Sequence, residues 1–320
     1  MSDHILHNHN EDHIDRRGFL KCMAWAGTGA LWTVSGGVLA SRLLDPAKAG
    51  AAEAIAGADF SFVQISDSHI GFNKDANKDV VGTLKEAVAK IKALPAPPDF
   101  ILHTGDLSHL AEPEEFDTLE QVLKDTGVSR IFYVPGEHDV LGDNGKQYLE
   151  RFGKGTKGTG YYSFDQKGTH FIGLSNVVNI KEGGLGILGE DQLAWLADDL
   201  KAVASSTPIV VFAHIPLWAV YPQWGWGTDD SERALALLKR FGSVTVLNGH
   251  IHQTLKKVEG NITFHTAMST AFPQAAPGAP GAKPGPMKVD AGKLRSVLGI
   301  TDVNYVEGTH SLAIVDSPLA

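Results

Sequence analysis

At 320 residues, 43% hydrophobic and 20% charged, the chain can bury a sizeable core in one large domain or two smaller ones. Its net charge of -9 argues against a nucleic-acid polymer as partner. The single cysteine, Cys22, excludes an intrachain disulfide and a thiolate metal cage, so any metal site draws on His, Asp, Glu or Asn.

The first fifty residues differ from the rest. "DRRGFLK" carries the pair Arg16 and Arg17, Cys22 to Ser41 hold no charge, and "DPAKAGAAEA" is rich in small residues. A paired arginine, an uncharged stretch and an A-x-A-like site form a twin-arginine export signal over residues 1–51. Cleavage is expected after Ala49 or Ala51, with the twin-arginine translocase as partner and a periplasmic or secreted product. The alternative is a transmembrane anchor, since ~20 residues reach across a bilayer. Gly27, Gly29, Gly36 and Gly37, with Thr28, Thr33, Ser35 and Ser41, make the stretch weakly apolar and disfavour a stable anchor. His4, His7, His9 and His13 would leave with the signal.

Strand-like and helix-like segments then alternate. "FSFVQIS" is an apolar run ending at Asp67, and Val80, Val81, Leu84, Ala87, Val88, Ile91 and Leu94 repeat at helical spacing until "PAPP" stops them. "FILHT" is the next strand, and Phe116, Leu119, Val122 and Leu123 mark the next helix. "RIFYV" has the look of a buried strand, and "YYSFD" with "THFIGLS" reads as a hairpin across "QKG". Leu193, Leu196, Leu200 and Val203 form a further helical face. "PIVVFA" is a strand, "SERALALLKRF" a helix with Ser231 as N-cap, and "VTVLN" a strand. "APGAPGAKPGPM" is too rich in Pro and Gly for a regular element, and "NYVEGTHSLAIVDS" is expected to form a last hairpin. The fold class is α/β, with a mixed sheet expected to divide into two stacked sheets.

Polar residues gather where strands end. "ISDSH", "HTGD", "VPGEHD", "FAHIP" and "LNGHIH" each follow a strand, and open α/β sheets collect ligands at strand carboxyl ends. Asp67 and His69 lie two apart, as do His250 and His252, so each pair can converge from an extended turn. Gly105 and Gly249 allow close backbone approach. Any one of these clusters is weak evidence; five together are strong.

"DSH", "GD", "GEHD", "AH" and "GHIH", in that order from Phe60 to His252, resemble the calcineurin-like metallophosphoesterases, which include purple acid phosphatases and cyclic-nucleotide phosphodiesterases. The resemblance implies a four-layer α/β/β/α sandwich over 57–270, completed by 271–320. It makes Asp67, His69, Asp106 and His252 ligands of one metal, and Glu137, His214 and His250 ligands of a second, with Asp106 as bridge. The ions would be two divalent cations or a mixed Fe/divalent pair drawn from Fe, Mn or Zn. Such a pair clamps a phosphate and converts a bridging water to hydroxide near neutral pH. His138 would protonate the leaving oxygen, with Asp139 holding its ring.

His109 stands where purple acid phosphatases carry a ligand tyrosine, and is expected to face either substrate or the core. His103 reads as a core hydrogen-bonding residue, and His170, His265 and His310 as structural. Trp218, Tyr221, Trp224 and Trp226 crowd the loop after His214, either to stack an aryl group or nucleobase or to pack over the sandwich edge.

Glu137 departs from the family's usual asparagine. Its extra charge implies a tighter or more oxidised second metal, a shift from dianionic monoesters toward monoanionic diesters, or loss of turnover. The expected function is therefore an exported dinuclear phosphoesterase acting on a small phosphoester, diesters favoured. The rival is a catalytically weak metal-binding protein of the same fold, and a structural envelope protein is the third class. Retention of His138 favours the hydrolase.

Overall fold

The computed structural model describes residues 59–180, 183–306 and 312–320, with the backbone of strands β1 (Ala30–Ser35) and β2 (Val38–Leu43). Arg16, Arg17, Cys22, the N-terminal histidines, the cleavage region and His310 lie outside these residues. Two units divide the chain, Met1–Ala56 and Gly57–Ala320. In the first, β1 and β2 pair antiparallel.

The second unit is built on two sheets. One runs β13 (Leu312–Pro318), β12 (Gly299–Tyr305), β3 (Phe60–Ile65), β4 (Phe100–His103) and β5 (Ile131–Tyr133). The other runs β10 (Lys256–Glu259), β11 (Ile262–Thr266), β9 (Val244–Asn248), β8 (Ile209–Phe212), β7 (Thr169–Gly173) and β6 (Tyr162–Gln166). β3, β4 and β5 are mutually parallel, as are β7, β8, β9 and β11, while β6, β10, β12 and β13 run antiparallel to their neighbours. Both sheets are therefore mixed.

The strand period explains the layers. Along β3, Phe60 and Phe62 point into the space between the sheets, where they meet Phe100, Phe171, Phe212 and Leu247. Val63 and Ile65, on the opposite face, pack with α1 (Val80–Lys92) and α2 (Pro113–Lys124). On β8, Val210 and Phe212 face the first sheet, whereas Ile209 and Val211 pack with α4 (Glu190–Leu200) and α5 (Ser231–Leu238). Helix, sheet, sheet and helix thus stack as expected.

Local differences have local causes. "RIFYV" is only half buried over Ile131–Tyr133, because β5 is an edge strand. α5 is capped by Asp230, not Ser231, and no side-chain cap bond forms. The Asp230 carboxylate accepts the Leu188 and Gly189 amides instead, each at 2.9 Å, and holds the entry to α4. Short α3 (Lys146–Phe152) and the β10–β11 hairpin are additional elements.

Candidate metal centre

Every expected ligand follows the carboxyl end of a strand. Asp67 and His69 come after β3, Asp106 after β4, and Glu137 opens a 3-10 turn, Glu137–Val140, after β5. His214 follows β8, and His250 and His252 follow β9. Among described non-glycine residues, positive φ occurs at Asp67 (54°), His69 (41°), Asp106 (52°), His250 (70°) and His252 (54°), and at only three others. Asp and His tolerate this left-handed region better than most residues, and such backbone is held in place where surroundings enforce it. Here the β3 and β4 loops zip together: Asp67 N–H donates to Gly105 O (3.0 Å) and His69 N–H to Asp106 O (2.9 Å).

Three glycines make room for the loops themselves. A Cβ on Gly249 would lie 2.0 Å from Ser66 Oγ and 2.7 Å from Asp67 Oδ2. One on Gly105 would meet His214 Nδ1 at 2.5 Å, and one on Gly136 would meet Asp106 N at 2.2 Å. The close approach expected at Gly105 and Gly249 is therefore to neighbouring site residues.

Two abutting clusters result. Asp67, His69, Asp106 and His252 form one, and Glu137, His214 and His250 the other. Asp106 Oδ2 is 3.3 Å from His69 Nε2 in the first and 3.3 Å from His214 Nε2 in the second. His252 Nε2 lies 3.2 Å from both Asp67 Oδ1 and His69 Nε2. Glu137 reaches His250 Nδ1 with Oε1 and His214 Nε2 with Oε2, each at 2.9 Å. His214 Nδ1 donates to Thr104 O (2.7 Å) and His252 Nδ1 to Phe272 O (2.5 Å), which turns both Nε2 lone pairs inward.

The donor atoms fit cations. Glu137 Oε2, His214 Nε2 and both His250 ring nitrogens are buried without a hydrogen-bond partner, although Glu137 sits close to both rings. Buried polar atoms are seldom left in this state, and imidazole and carboxylate together suit Zn, Mn or Fe. At Asp67 and His69 the electrostatics agree. Burial alone would raise the Asp67 carboxyl, but the charge and hydrogen bond of His252, with His214 and Ser66, carry it down to about 2. Burial, with His138, His252 and His109 nearby, holds His69 well below the ordinary histidine value and hence neutral.

His138 lies beside the clusters. Its Nδ1 donates to the His109 carbonyl at 2.7 Å, leaving Nε2 free, and its ring stacks on His109 at 4.8 Å and 17°. Burial lowers its pKa, but Asp106 and Glu137 outweigh that and raise it. Asp139 does not hold this ring, and its expected role is corrected. Its carboxylate accepts Leu107 N–H (3.1 Å), Ser108 N–H (2.8 Å), Ser108 Oγ–H (2.8 Å) and Gly136 N–H (2.9 Å), so it ties the Asp106 loop to the Glu137 loop. Burial and Asp106 push its carboxyl up to about 7, and the same donors pull it back.

A cleft of about 280 Å³ opens over the clusters, lined by His109, His138, Trp224 and Trp226 together with Phe272, Gln274, Lys74 and Pro284–Pro286. His109 therefore faces the cleft. Trp218 does not; it packs against Phe264 (4.9 Å) in the core under α4 and α5, which corrects its expected place at the substrate. His103 bonds Ser68 Oγ at 2.9 Å in the core, and His170 and His265 pair with Asp199, Asp165 and Asp316 away from the cleft. Lys74, Phe272 and Gln274 carry no motif signal, and Phe272 and Gln274 lie beyond the last H-x-H residue.

The chain matches the calcineurin-like phosphoesterase family over residues 60–254, more than half its length. It is 26% identical over 218 residues to a 3′,5′-cyclic-nucleotide phosphodiesterase of Nostoc sp., covering 66% of this chain and 79% of that one. It is 27% identical to a glycerophosphodiester phosphodiesterase of Enterobacter lignolyticus, covering 64% and 76%. In fold it is similar to a dimetal phosphatase from Danio rerio, with a TM-score of 0.60 at 15% identity over 82% of this chain and 97% of that one. The strand-end ligand pattern and the family match together place this chain in the calcineurin-like phosphoesterase family of metal-dependent hydrolases.

Proposed function

We propose that the chain is an exported phosphoesterase that hydrolyses small phosphate esters, diesters in preference to monoesters. The observation that carries this reading is the pair of buried donor clusters meeting at Asp106 Oδ2. Asp67, His69, Asp106 and His252 would hold one ion, and Asp106, Glu137, His214 and His250 the other. Bound there, two cations of the Fe, Mn or Zn kind supply Lewis acidity toward phosphoryl oxygens and lower the pKa of water.

The chain's own groups do the rest. Thr104 O and Phe272 O orient His214 and His252 through their Nδ1 atoms. His138, with Nδ1 satisfied by His109 O, carries a proton on Nε2 for the departing alkoxide when protonated, the state Asp106 and Glu137 favour. Asp139 keeps the Asp106 and Glu137 loops in register. Glu137 places an additional negative charge at the cleft, which supports diester over monoester substrates. The same charge supports the rival reading of a weak, metal-binding relative.

Metal analysis and hydrolysis of matched aryl mono- and diesters test this together. About two ions per chain are expected, and His214→Ala or His250→Ala should reduce that to about one while suppressing hydrolysis. A content that stays near one under excess metal, or turnover indifferent to chelation, overturns the proposal.

A further inference from the structure

The Pro/Gly-rich stretch after β11 returns to the cleft as a closed loop. Met287 N–H donates to Pro273 O at 2.8 Å, and Gln274 and Pro286 form a bridge just inside it. Gln274 secures this neck three ways. Its Oε1 accepts Gly285 N–H (3.1 Å), its Nε2 donates to His250 O (2.8 Å), and its carbonyl accepts Gln253 Nε2–H (3.0 Å). The chain ends of the loop are thus locked together and to the backbone of a residue in the donor cluster. Compact loops with closed ends are frequently functional.

The part facing the cleft is Pro284–Gly285–Pro286. Proline fixes φ and offers no N–H, while Gly285 takes φ +102°, a conformation that favours glycine. The wall is therefore stiff and poor in hydrogen-bond donors. Trp224 and Trp226 line the same cleft from the loop after β8, with rings perpendicular at 5.4 Å. Lys74 and His109 line the same cleft, but against the proline and indole faces themselves a polyol's hydroxyls find few partners, whereas a flat ring would bury apolar area on them. A cleft of about 280 Å³ is near the lower end of ligand pockets, ~300 Å³, and suits one phosphate with one such group.

Building on the phosphoesterase reading, we propose that the loop Pro273–Met287 is the specificity wall of this site. Pro284–Gly285–Pro286, with Trp224 and Trp226, selects esters of planar aromatic or heterocyclic alcohols over esters of polyols, and Gln274 is the residue that positions the wall.

Calorimetric binding of phenylphosphonate and methylphosphonate to manganese-loaded protein tests this without requiring turnover. The wild type should bind the phenyl compound about tenfold tighter. In the double variant Pro284→Ser, Pro286→Ser the preference should fall to about twofold or less, with methylphosphonate affinity and Tm close to wild type; in Gln274→Ala, which also frees the His250 carbonyl, the preference should fall as far. No phenyl preference in the wild type overturns the proposal, as does an unchanged ratio in both variants or an equal loss of both ligands. Hydrolysis is measured alongside. A wild type that shows the preference but cleaves no ester overturns the phosphoesterase reading and leaves the wall standing.

Discussion

Glu137 is the residue in which a single charge has the clearest consequence. Both its oxygens reach across to the His214 and His250 rings at 2.9 Å, so it spans the second cluster and adds charge beside the cleft. Replacement by asparagine removes that charge and shortens the side chain by one methylene. A dianionic monoester should gain more from this than a monoanionic diester, because repulsion at short range in a poorly screened site scales with charge. Glu137→Asn should therefore raise the monoester-to-diester ratio of kcat/KM about tenfold, equivalent to ~1.4 kcal/mol in transition-state stabilisation. The assay is run at saturating metal, and a ratio that holds or falls would show that Glu137 tunes the metal and not the substrate. At the same scale, Asp139 and Trp218 show the limit of motif reasoning. Asp139 neighbours His138 in sequence, yet its carboxylate turns to the Asp106 loop, where backbone N–H groups need an acceptor. Trp218 opens an aromatic-rich loop but is placed early enough after β8 to fall into the core.

At the scale of elements, the long helices and central strands were legible because their apolar period is sustained, as along α1 and β3. The misread or unread elements lack that signal. α3 is short and fully buries only Tyr148, with Leu149 and Phe152 partly buried, and β10 is exposed throughout, so neither sustains a period long enough to read. The cap of α5 lies one residue before Ser231, at Asp230, which forms no side-chain cap bond because its carboxylate is spent on the Leu188 and Gly189 amides. The β6–β7 hairpin is joined to α4 by a polar staple. His170 Nδ1 meets Asp165 Oδ1 at 2.7 Å, His170 Nε2 meets Asp199 Oδ2 at 3.0 Å, and Asp199 also accepts Ser163 Oγ–H. Burial lowers the His170 pKa, but both aspartates outweigh it and raise the value above its ordinary 6.5. A raised folded pKa stabilises the fold fully below the unfolded pKa and loses that contribution as pH rises through the folded one. His170→Gln should thus lower Tm most near pH 6, with a deficit that shrinks toward pH 9. Thermal melts across that range check this, and a deficit that grows with pH would refute the staple's charged state.

For the whole molecule, a protein that assembles two donor clusters from five loops on two sheets must fold before its metals can be held, because the unfolded chain presents no such site. Export of a folded protein is what a twin-arginine signal provides, and we propose that route for this chain. Arg16→Lys with Arg17→Lys should retain it in the cytoplasm with residues 1–51 attached, as fractionation and mass spectrometry would reveal; efficient export of the double variant would discard the assignment. The sequence by itself determined the kinds of donor, their order and their placement after strands, and with them the α/β class and the family. Those features are local: an apolar run makes a strand, and the polar residues that end it sit at its carboxyl edge. Tertiary structure alone decided which of those residues meet. β11 adds beside β9, and the chain beyond it carries Phe272 to His252 and Pro284–Pro286 to the cleft, bringing a Pro/Gly-rich stretch with no motif into the site. The left-handed backbone at Asp67, His69, Asp106 and His250 is likewise held by hydrogen bonds between distant loops. Such contacts depend on sheet order and loop path, which join residues far apart in the chain and leave no periodic trace in it.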